Sequence, residues 1–294
     1  PTSPSTALSG RKQSSMVSSA SLMASEPMVV STRVTLKPGV PFCTRNAVMP
    51  PRPRLAASFT AITITTSAGP RLSCWWVPQR RRPKGTIIYL HGVGDCKTAG
   101  VRLSGLLYRH GYNVFLYDSR QHGESEGSFC TYGFYEKYDV STMINFLVAR
   151  RNIKVGNIGL FGTSMGAAVA IQAAAVDDRV KAVVAEASFT DLRTISVDYQ
   201  RRIVKLPWHF LRNVAMSRSQ KIANFKARDV SPLEDVQRLR IPILFIHGME
   251  DKFIRYEYSK ALYHVAPGPK DLFLVPGASH TDVWEISGST YERK

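Results

Sequence analysis

The chain has 294 residues, of which 44% are hydrophobic, enough for one large domain with a buried core. Its four cysteines show no CxxC spacing and its seven histidines show no paired-ligand spacing, so neither a disulfide framework nor a metal site is indicated. No apolar stretch reaches the roughly 18 to 20 residues that span a bilayer. We therefore expect a soluble protein and assign it to the cytoplasm.

The formal charge of +17 is concentrated in two segments. Residues 1–58 contain seven basic residues and one acidic residue, and residues 193–228 contain nine basic residues and one acidic residue. The rest of the chain is nearly neutral. Because no nucleic-acid-binding motif accompanies these segments, they favour solvated basic surfaces over a specific nucleic-acid partner.

The N-terminal 58 residues are rich in Ser, Thr, Pro and Met and show no sustained helical or strand period. We expect them to form a tail outside a folded domain at 59–294. The domain opens with two strand-like runs around a Gly-Pro turn, "AITITTSAG" and "RLSCWWVP". They predict an antiparallel hairpin.

Six apolar runs follow that are suited to strands buried on both faces: "GTIIYL", "NVFLYD", "NIGLFG", "KAVVAE", "IPILFIHG" and "DLFLVPG". Helix-like stretches separate most of them, at 97–110, 135–151, 165–176 and 256–265. This alternation predicts an α/β fold with a mostly parallel central sheet and helices on both faces.

More than fifty residues separate the run "KAVVAE" from "IPILFIHG". An insertion of that length in an α/β domain is typically a lid or cap, and we expect a helical cap at about 189–232. Its aromatic residues Tyr199, Trp208 and Phe210 are candidates for contact with a substrate. The alternative is that they only pack the cap onto the domain.

A serine stands at the sharpest predicted turn of the chain. In "NIGLFGTSMGAAVAIQ" an apolar strand passes into an alanine-rich helix, with Ser164 at the apex between Gly162 and Gly166. Such a turn strains its central residue, requires small neighbours and exposes the serine oxygen near the positive end of the helix. Ser164 is the predicted nucleophile; the alternative is a glycine-flanked turn with an idle serine.

A serine hydroxyl needs a base, and the base needs an orienting carboxylate. Asp251 follows the strand "IPILFIHG", and His280 follows the strand "DLFLVPG". Both positions lie at the carboxyl ends of predicted strands, where ligands bind in open α/β sheets. We predict His280 as the base and Asp251 as its acid, with Glu250 and Glu186 as rival acids.

These segments together resemble the α/β-hydrolase superfamily over residues 59–294. The resemblance rests on "YLHGVGD", "YDSRQHGESEG", "GTSMG", "HGMED" and "GASH", with Gln121 where many bacterial esterases have glycine. It is strongest to serine esterases and aminopeptidase-like hydrolases, and it implies an α/β-hydrolase fold with a helical cap between strands six and seven. The backbone amides of Val93 and Met165 are then the expected oxyanion hole.

The sequence therefore predicts a serine hydrolase that cleaves small carboxylic esters through an acyl-enzyme intermediate, without a cofactor. Short to medium acyl chains are favoured, because the cap does not resemble a long amphipathic lid. A thioesterase or an aminopeptidase-like amide hydrolase would use the same residues. A non-catalytic binding protein is a further alternative, although none of the three predicted residues is missing.

Overall fold

The computed structural model describes residues 59–66, 69–80, 82–151, 153, 157–201 and 209–294. The predicted N-terminal tail at 1–58 and the candidate substrate contact Trp208 lie outside these residues. Everything stated below about helices, strands and side chains concerns the described part of the chain.

A mixed sheet of eight strands forms the centre of the described domain, in the order β1-β2-β4-β3-β5-β6-β7-β8. The strands are β1 (Thr60–Thr65), β2 (Arg71–Val77), β3 (Gly85–Leu90), β4 (Tyr112–Tyr117), β5 (Ile158–Thr163), β6 (Val180–Glu186), β7 (Ile243–Gly248) and β8 (Lys270–Val275). The β1–β2 and β2–β4 pairs are antiparallel, and the remaining pairs are parallel. The predicted hairpin and mostly parallel sheet are confirmed.

Helices cover both faces of the sheet. They are α1 (Val101–Arg109), α2 (Glu136–Arg151), α3 (Met165–Val176), α4 (Leu192–Tyr199), α5 (His209–Ile222), α6 (Pro232–Val236), α7 (Tyr256–Val265), α8 (Val283–Ser287) and α9 (Ser289–Arg293). Neighbouring strand residues enter different cores: Leu160 packs into the core with α2, α3 and α7, and Phe161 into the core with α1, α8 and α9. Within the described ranges, no helix has the length and apolarity needed to cross a membrane.

The segment between β6 and β7 contains α4, α5 and α6. Leu192 and Ile195 of α4 pack in one small cluster with residues that follow α5, such as Phe225, and with Ala168 of α3 and Ile254 in the domain. Helix α5 is described over its whole length, and none of its residues is buried. This segment is therefore attached to the domain mainly through α4 and the chain that follows α5.

The order in which the chain adds strands to the sheet reverses at β3, although β3 and β5 are parallel. From β3 the chain continues through α1 to β4 on one side, whereas β5 lies on the other side of β3 and leads on to β6. The loops that leave β3 and β5 therefore diverge and open a crevice at the carboxyl end of the sheet. Gly92 and Ser164 both lie at this crevice, directly after these two strands.

Close packing of α3 against the sheet depends on two glycines. A Cβ atom at Gly162 would lie 2.2 Å from the backbone oxygen of Gly166, and one at Gly166 would lie 2.1 Å from the backbone oxygen of Leu90. Neither contact is possible between real atoms, so any larger residue would force the backbone apart. The glycines around Ser164 are required by this packing.

We expect Gly162→Ala to destabilise the protein by about 3 kcal/mol, because the methyl group must displace backbone atoms. Gly277→Ala is the matched control: a Cβ there meets nothing within 4 Å, although φ is +74°. Its expected cost is about 1 to 2 kcal/mol, from the left-handed backbone alone. Urea unfolding of the two variants measures the difference, and equal destabilisation would contradict the packing argument.

Candidate active site

Ser164 has a backbone conformation that residues with side chains rarely adopt, with φ 55° and ψ −118°. Its amide donates to the carbonyl oxygen of Glu186 at 2.8 Å, which ties the turn to the end of β6. Helix α3 begins with the next residue, Met165. Strain of about 1 to 3 kcal/mol persists at such positions only when the surrounding structure enforces it.

A continuous chain of hydrogen bonds runs from this serine through two further loops. The Ser164 hydroxyl lies 3.0 Å from His280 Nε2, and His280 Nδ1 lies 2.6 Å from Asp251 Oδ2. Asp251 follows β7, and His280 follows β8. Because Nδ1–H donates to the carboxylate, Nε2 is left as the acceptor for the serine proton. The structure thus brings together the three residues that the sequence singled out.

Asp251 is held in its ionised form by its hydrogen bonds. Its Oδ1 accepts from the backbone amides of Phe253 at 2.7 Å and Ile254 at 2.9 Å. Burial alone would raise the pKa of this carboxyl, but the hydrogen bonds from His247, His280 and the Ile254 amide outweigh it and bring the pKa well below its usual value. Asp251 is therefore ionised at neutral pH, where it orients the His280 imidazole.

His247, the residue before Gly248 at the end of β7, is a further member of this site that the sequence motifs did not single out. Its Nε2–H is shared between Asp251 Oδ2 at 3.2 Å and the backbone oxygen of Ile254 at 3.0 Å. Its Nδ1 accepts from the hydroxyl of Ser259 at 2.7 Å, so the tautomer is fixed from both sides. His247 thereby bonds the same Asp251 oxygen as His280, whereas the amides bond the other.

The two rival acids occupy different places. The Glu250 side chain is exposed, and the residue is fixed through its backbone amide, which donates to Ala278. Glu186 accepts a hydrogen bond from the Tyr291 hydroxyl. Burial raises the pKa of Glu186 to about 7, against the opposing effects of the Tyr291 bond and the charge of His280. Asp251, and neither rival, is the carboxylate hydrogen-bonded to His280.

The loop after β3 is oriented by another buried histidine. His91 Nδ1–H donates to the Gly92 carbonyl oxygen at 2.7 Å, and its Nε2 accepts from the Ser119 amide at 2.9 Å. Burial lowers the pKa of His91 to about 4, so the ring is neutral near pH 7. In a trans peptide the C=O and N–H groups point in opposite directions. The amide of Val93 is therefore turned away from His91.

A second amide lies next to the serine. Met165 is the first residue of α3, and the first amides of a helix have no partner within it. The aligned peptide dipoles add positive potential at this end. A Cβ atom at Gly92 would lie 3.2 Å from the Ser164 Cβ, so the β3 loop and the serine are in close contact. Of the predicted oxyanion residues, Met165 follows Ser164 directly, and Val93 follows Gly92 in the loop that contacts Ser164.

A cavity of about 640 Å³ opens onto Ser164 and His280. Val93 and Tyr199 are among its lining residues. Phe210 is 72% exposed on α5 and is not among the lining residues, so the structure does not bring this candidate substrate contact to the serine. Over the part of the chain that the structure describes, no group of three or more His, Cys, Asp or Glu residues is arranged to hold a metal ion.

The sheet and the hydrogen-bonded chain at its carboxyl edge have the architecture of the α/β hydrolases, with a serine at the strand-to-helix turn. The family described as "Serine aminopeptidase, S33" matches residues 81–231, and the chain belongs to this family of α/β hydrolases. It is accordingly a hydrolase.

Known proteins similar to this chain include bacterial relatives and an archaeal esterase. The uncharacterized protein YqkD of Bacillus subtilis is 32% identical over 241 residues, covering 80% of this chain and 77% of YqkD. The uncharacterized protein YfhR of Escherichia coli K12 is 30% identical over 245 residues, covering 81% of this chain and 79% of YfhR. The structure of the Pyrococcus furiosus esterase Pf2001 superimposes with a TM-score of 0.65 at 26% identity, covering 80% of this chain and 89% of the esterase.

We expect Asp251→Asn to slow phosphonylation of Ser164 by a fluorophosphonate about a thousandfold or more, because the amide cannot hold His280 in the required tautomer. Mass spectrometry of the labelled serine peptide measures the rate. Glu250→Gln is the matched control, since it removes an exposed neighbouring carboxylate, and it should label at the native rate. Equal slowing in both variants would show that Asp251 does not act in the hydrogen-bonded chain from Ser164 through His280 to Asp251, which is called the relay below.

The raised pKa of Glu186 also has a consequence for stability. Between its ordinary pKa of 4.5 and the folded value of about 7, the native state retains a proton that the unfolded chain releases. The contribution of this group to stability is therefore complete below that window and is lost as the pH rises through it. We expect Glu186→Gln to become more stable relative to the native protein between pH 5 and pH 8, as measured by urea unfolding; a constant difference would contradict the shift.

Proposed function

We propose that this hydrolase is a carboxylesterase that cleaves small-molecule esters through an acyl-enzyme intermediate on Ser164. The observation that carries the proposal is the unbroken hydrogen-bond chain from Ser164 through His280 to Asp251, which opens onto a cavity of about 640 Å³. That volume lies within the range of about 300 to 1,000 Å³ usual for small-molecule sites. The esterase Pf2001 of similar structure supports an ester substrate.

In the first half-reaction the Ser164 oxygen attacks the ester carbonyl carbon, and His280 Nε2 takes the hydroxyl proton. The carbonyl electron pair moves onto its oxygen and forms a tetrahedral oxyanion. When that pair returns, the bond to the alcohol oxygen breaks, and His280 gives its proton to the leaving alkoxide. The products are an acylated Ser164 and a free alcohol.

Water completes the cycle by the same route. His280 takes one proton from water while the water oxygen attacks the acyl carbon, and the second tetrahedral oxyanion then collapses. The bond to the Ser164 oxygen breaks, the serine recovers the proton from His280, and the carboxylic acid leaves. Asp251 stays ionised throughout and stabilises the imidazolium in each half.

The amides of Val93 and Met165 bind the oxyanion in this proposal. Each is positioned by structure outside the reacting groups: His91 turns the Gly92–Val93 peptide, and α3 fixes the Met165 amide. Because these two amides already point to where the oxyanion forms, they do not have to reorient during the reaction. The loss of one such donor typically costs about 2.7 to 4 kcal/mol of transition-state stabilisation.

An amide hydrolase is the second candidate, because the family description is a serine aminopeptidase. It would use the same relay but would have to expel an amine, which leaves only when protonated by His280. Thioesters would be cleaved by the same steps as oxygen esters. The substrate, and not the relay, therefore distinguishes these activities.

We expect the protein to hydrolyse p-nitrophenyl esters, with the highest kcat/KM among short to medium acyl chains in a series from two to sixteen carbons. Ser164→Ala should lose about a thousandfold or more, because the attacking oxygen is gone. The control is Ser217→Ala, which removes an exposed hydroxyl on α5 and should leave the rates unchanged.

Parallel assays with aminoacyl p-nitroanilides and acyl thioesters complete the test. Faster turnover of the anilides than of every ester would replace the esterase proposal with the amide hydrolase. Equal rates for the native protein and Ser164→Ala would reject Ser164 as the nucleophile. The absence of turnover on all three substrate types would favour a binding protein on this fold.

A further inference from the structure

Aromatic side chains form part of the lining of the cavity beside Ser164. Six rings line it: Tyr89, Phe161, Tyr199, Phe253, Trp284 and Tyr291. Trp284 and Tyr291 are stacked, with ring centres 5.2 Å apart and planes 9° from parallel. Arg102 also stacks on Trp284, so a ligand cation would use the faces of the other lining rings, which carry negative electrostatic potential and attract cations.

The charged lining of this cavity is acidic, although the whole chain carries a formal charge of +17. Its one arginine, Arg102, stacks on Trp284 at 4.0 Å and is ion-paired with Glu285, so the two charges offset each other. The other charged lining residues, apart from His280, are Asp95 and Glu186. The cavity is therefore complementary to a positive group.

Glu186 is joined to the turn that carries the reacting serine through its backbone. It ends β6 and pairs in register with Thr163, the residue before Ser164, and its backbone oxygen accepts the Ser164 amide. Its side chain lines the cavity and accepts from the Tyr291 hydroxyl. The relay from Ser164 to Asp251 does not use it.

We propose that Glu186 is a specificity-determining residue that pairs with an ammonium group of the ester substrate, while the aromatic rings of the cavity enclose that group. The inference rests on the proposed esterase function and names its substrate class: esters whose acyl or alcohol part carries a positive charge. A carboxylate next to ring faces provides both of the interactions that stabilise an alkylammonium ion away from water.

The protonation of Glu186 supports this role. Burial raises its pKa to about 7, so near neutral pH the carboxyl group is divided between its neutral and ionised forms. The groups that influence it are His280, Glu285, Tyr89 and Tyr291, and the same cavity contains Asp95 and Arg102. A bound cation favours the ionised form, and ionisation in turn strengthens binding of the cation.

Two esters of the same size and shape test the proposal: acetylcholine, and 3,3-dimethylbutyl acetate, in which carbon replaces the quaternary nitrogen. Acetate release is measured by proton NMR from pH 5.5 to 8.5, and the ratio of kcat/KM for the cationic ester to that for the neutral ester is calculated. Any effect of pH on the shared catalytic steps affects both esters equally and cancels in this ratio. The quaternary charge does not titrate, so the ratio reports the charge of the cavity.

We expect the ratio to exceed one and to rise about tenfold with pH, with a midpoint near 7, as Glu186 ionises. In Glu186→Gln the ratio should fall below the native value at high pH and lose its rise with pH. In Tyr291→Phe the midpoint should move to higher pH, because the lost hydrogen bond lowers the Glu186 pKa in the native protein. Glu250→Gln, which removes an exposed carboxylate outside the cavity lining, should keep the native curve.

A ratio that stays near or below one at every pH would overturn the cationic subsite, as would turnover of p-nitrophenyl acetate without turnover of acetylcholine. Either result leaves the esterase proposal intact. If no ester is hydrolysed, the esterase proposal fails, and the cationic subsite is then tested by measuring the binding of a quaternary ammonium ion. Calorimetry should then show that the Ser164→Ala protein binds phenyltrimethylammonium with an affinity that rises with pH. The double variant Ser164→Ala, Glu186→Gln should lose this affinity. Equal affinity in the two proteins would overturn the cationic subsite.

Discussion

The site depends on one constraint, the backbone of Ser164 at the turn from β5 into α3. Close packing of α3 on the strands requires glycine at 162 and 166, and the turn between them holds Ser164 at a positive φ. The same turn presents the Met165 amide and ties the Ser164 amide to Glu186. Nucleophile, helix end and cavity wall are therefore positioned together by close packing of the backbone.

Two buried histidines join the loops around this turn. His91 joins the loop after β3 to the loop after β4 through Gly92 and Ser119, and His247 joins the end of β7 to α7 through Asp251 and Ser259. Both histidines have one nitrogen that donates and one that accepts, which fixes the tautomer. An unpaired polar group in such an interior costs about 1 to 3 kcal/mol, so these bonds hold the loops in a single arrangement.

The sequence predicts the features that depend on local pattern. The sheet, the bounds of α3 and the loops that carry Ser164, Asp251 and His280 follow from apolar period and strand order, and the structure has them. Long-range partners leave no such pattern: Tyr291 is 105 residues from Glu186, and nothing local pairs them. Phe210 is predicted from the sequence to contact substrate but is exposed on α5. Its sequence position alone could not decide this, because an aromatic residue in the insertion is equally compatible with a pocket and with an exposed helix face.

The pKa values of two carboxyl groups at the same edge of the sheet are shifted in opposite directions by their surroundings. Asp251 receives hydrogen bonds from two backbone amides and two imidazoles, and these overcome its burial and lower its pKa. Glu186 accepts from the Tyr291 hydroxyl, burial prevails, and its pKa rises to about 7. Environments that separate the pKa values of neighbouring acids also separate their roles. A permanently charged Asp251 suits the orientation of an imidazole, whereas a Glu186 that ionises near neutral pH suits a group whose charge responds to what the cavity contains.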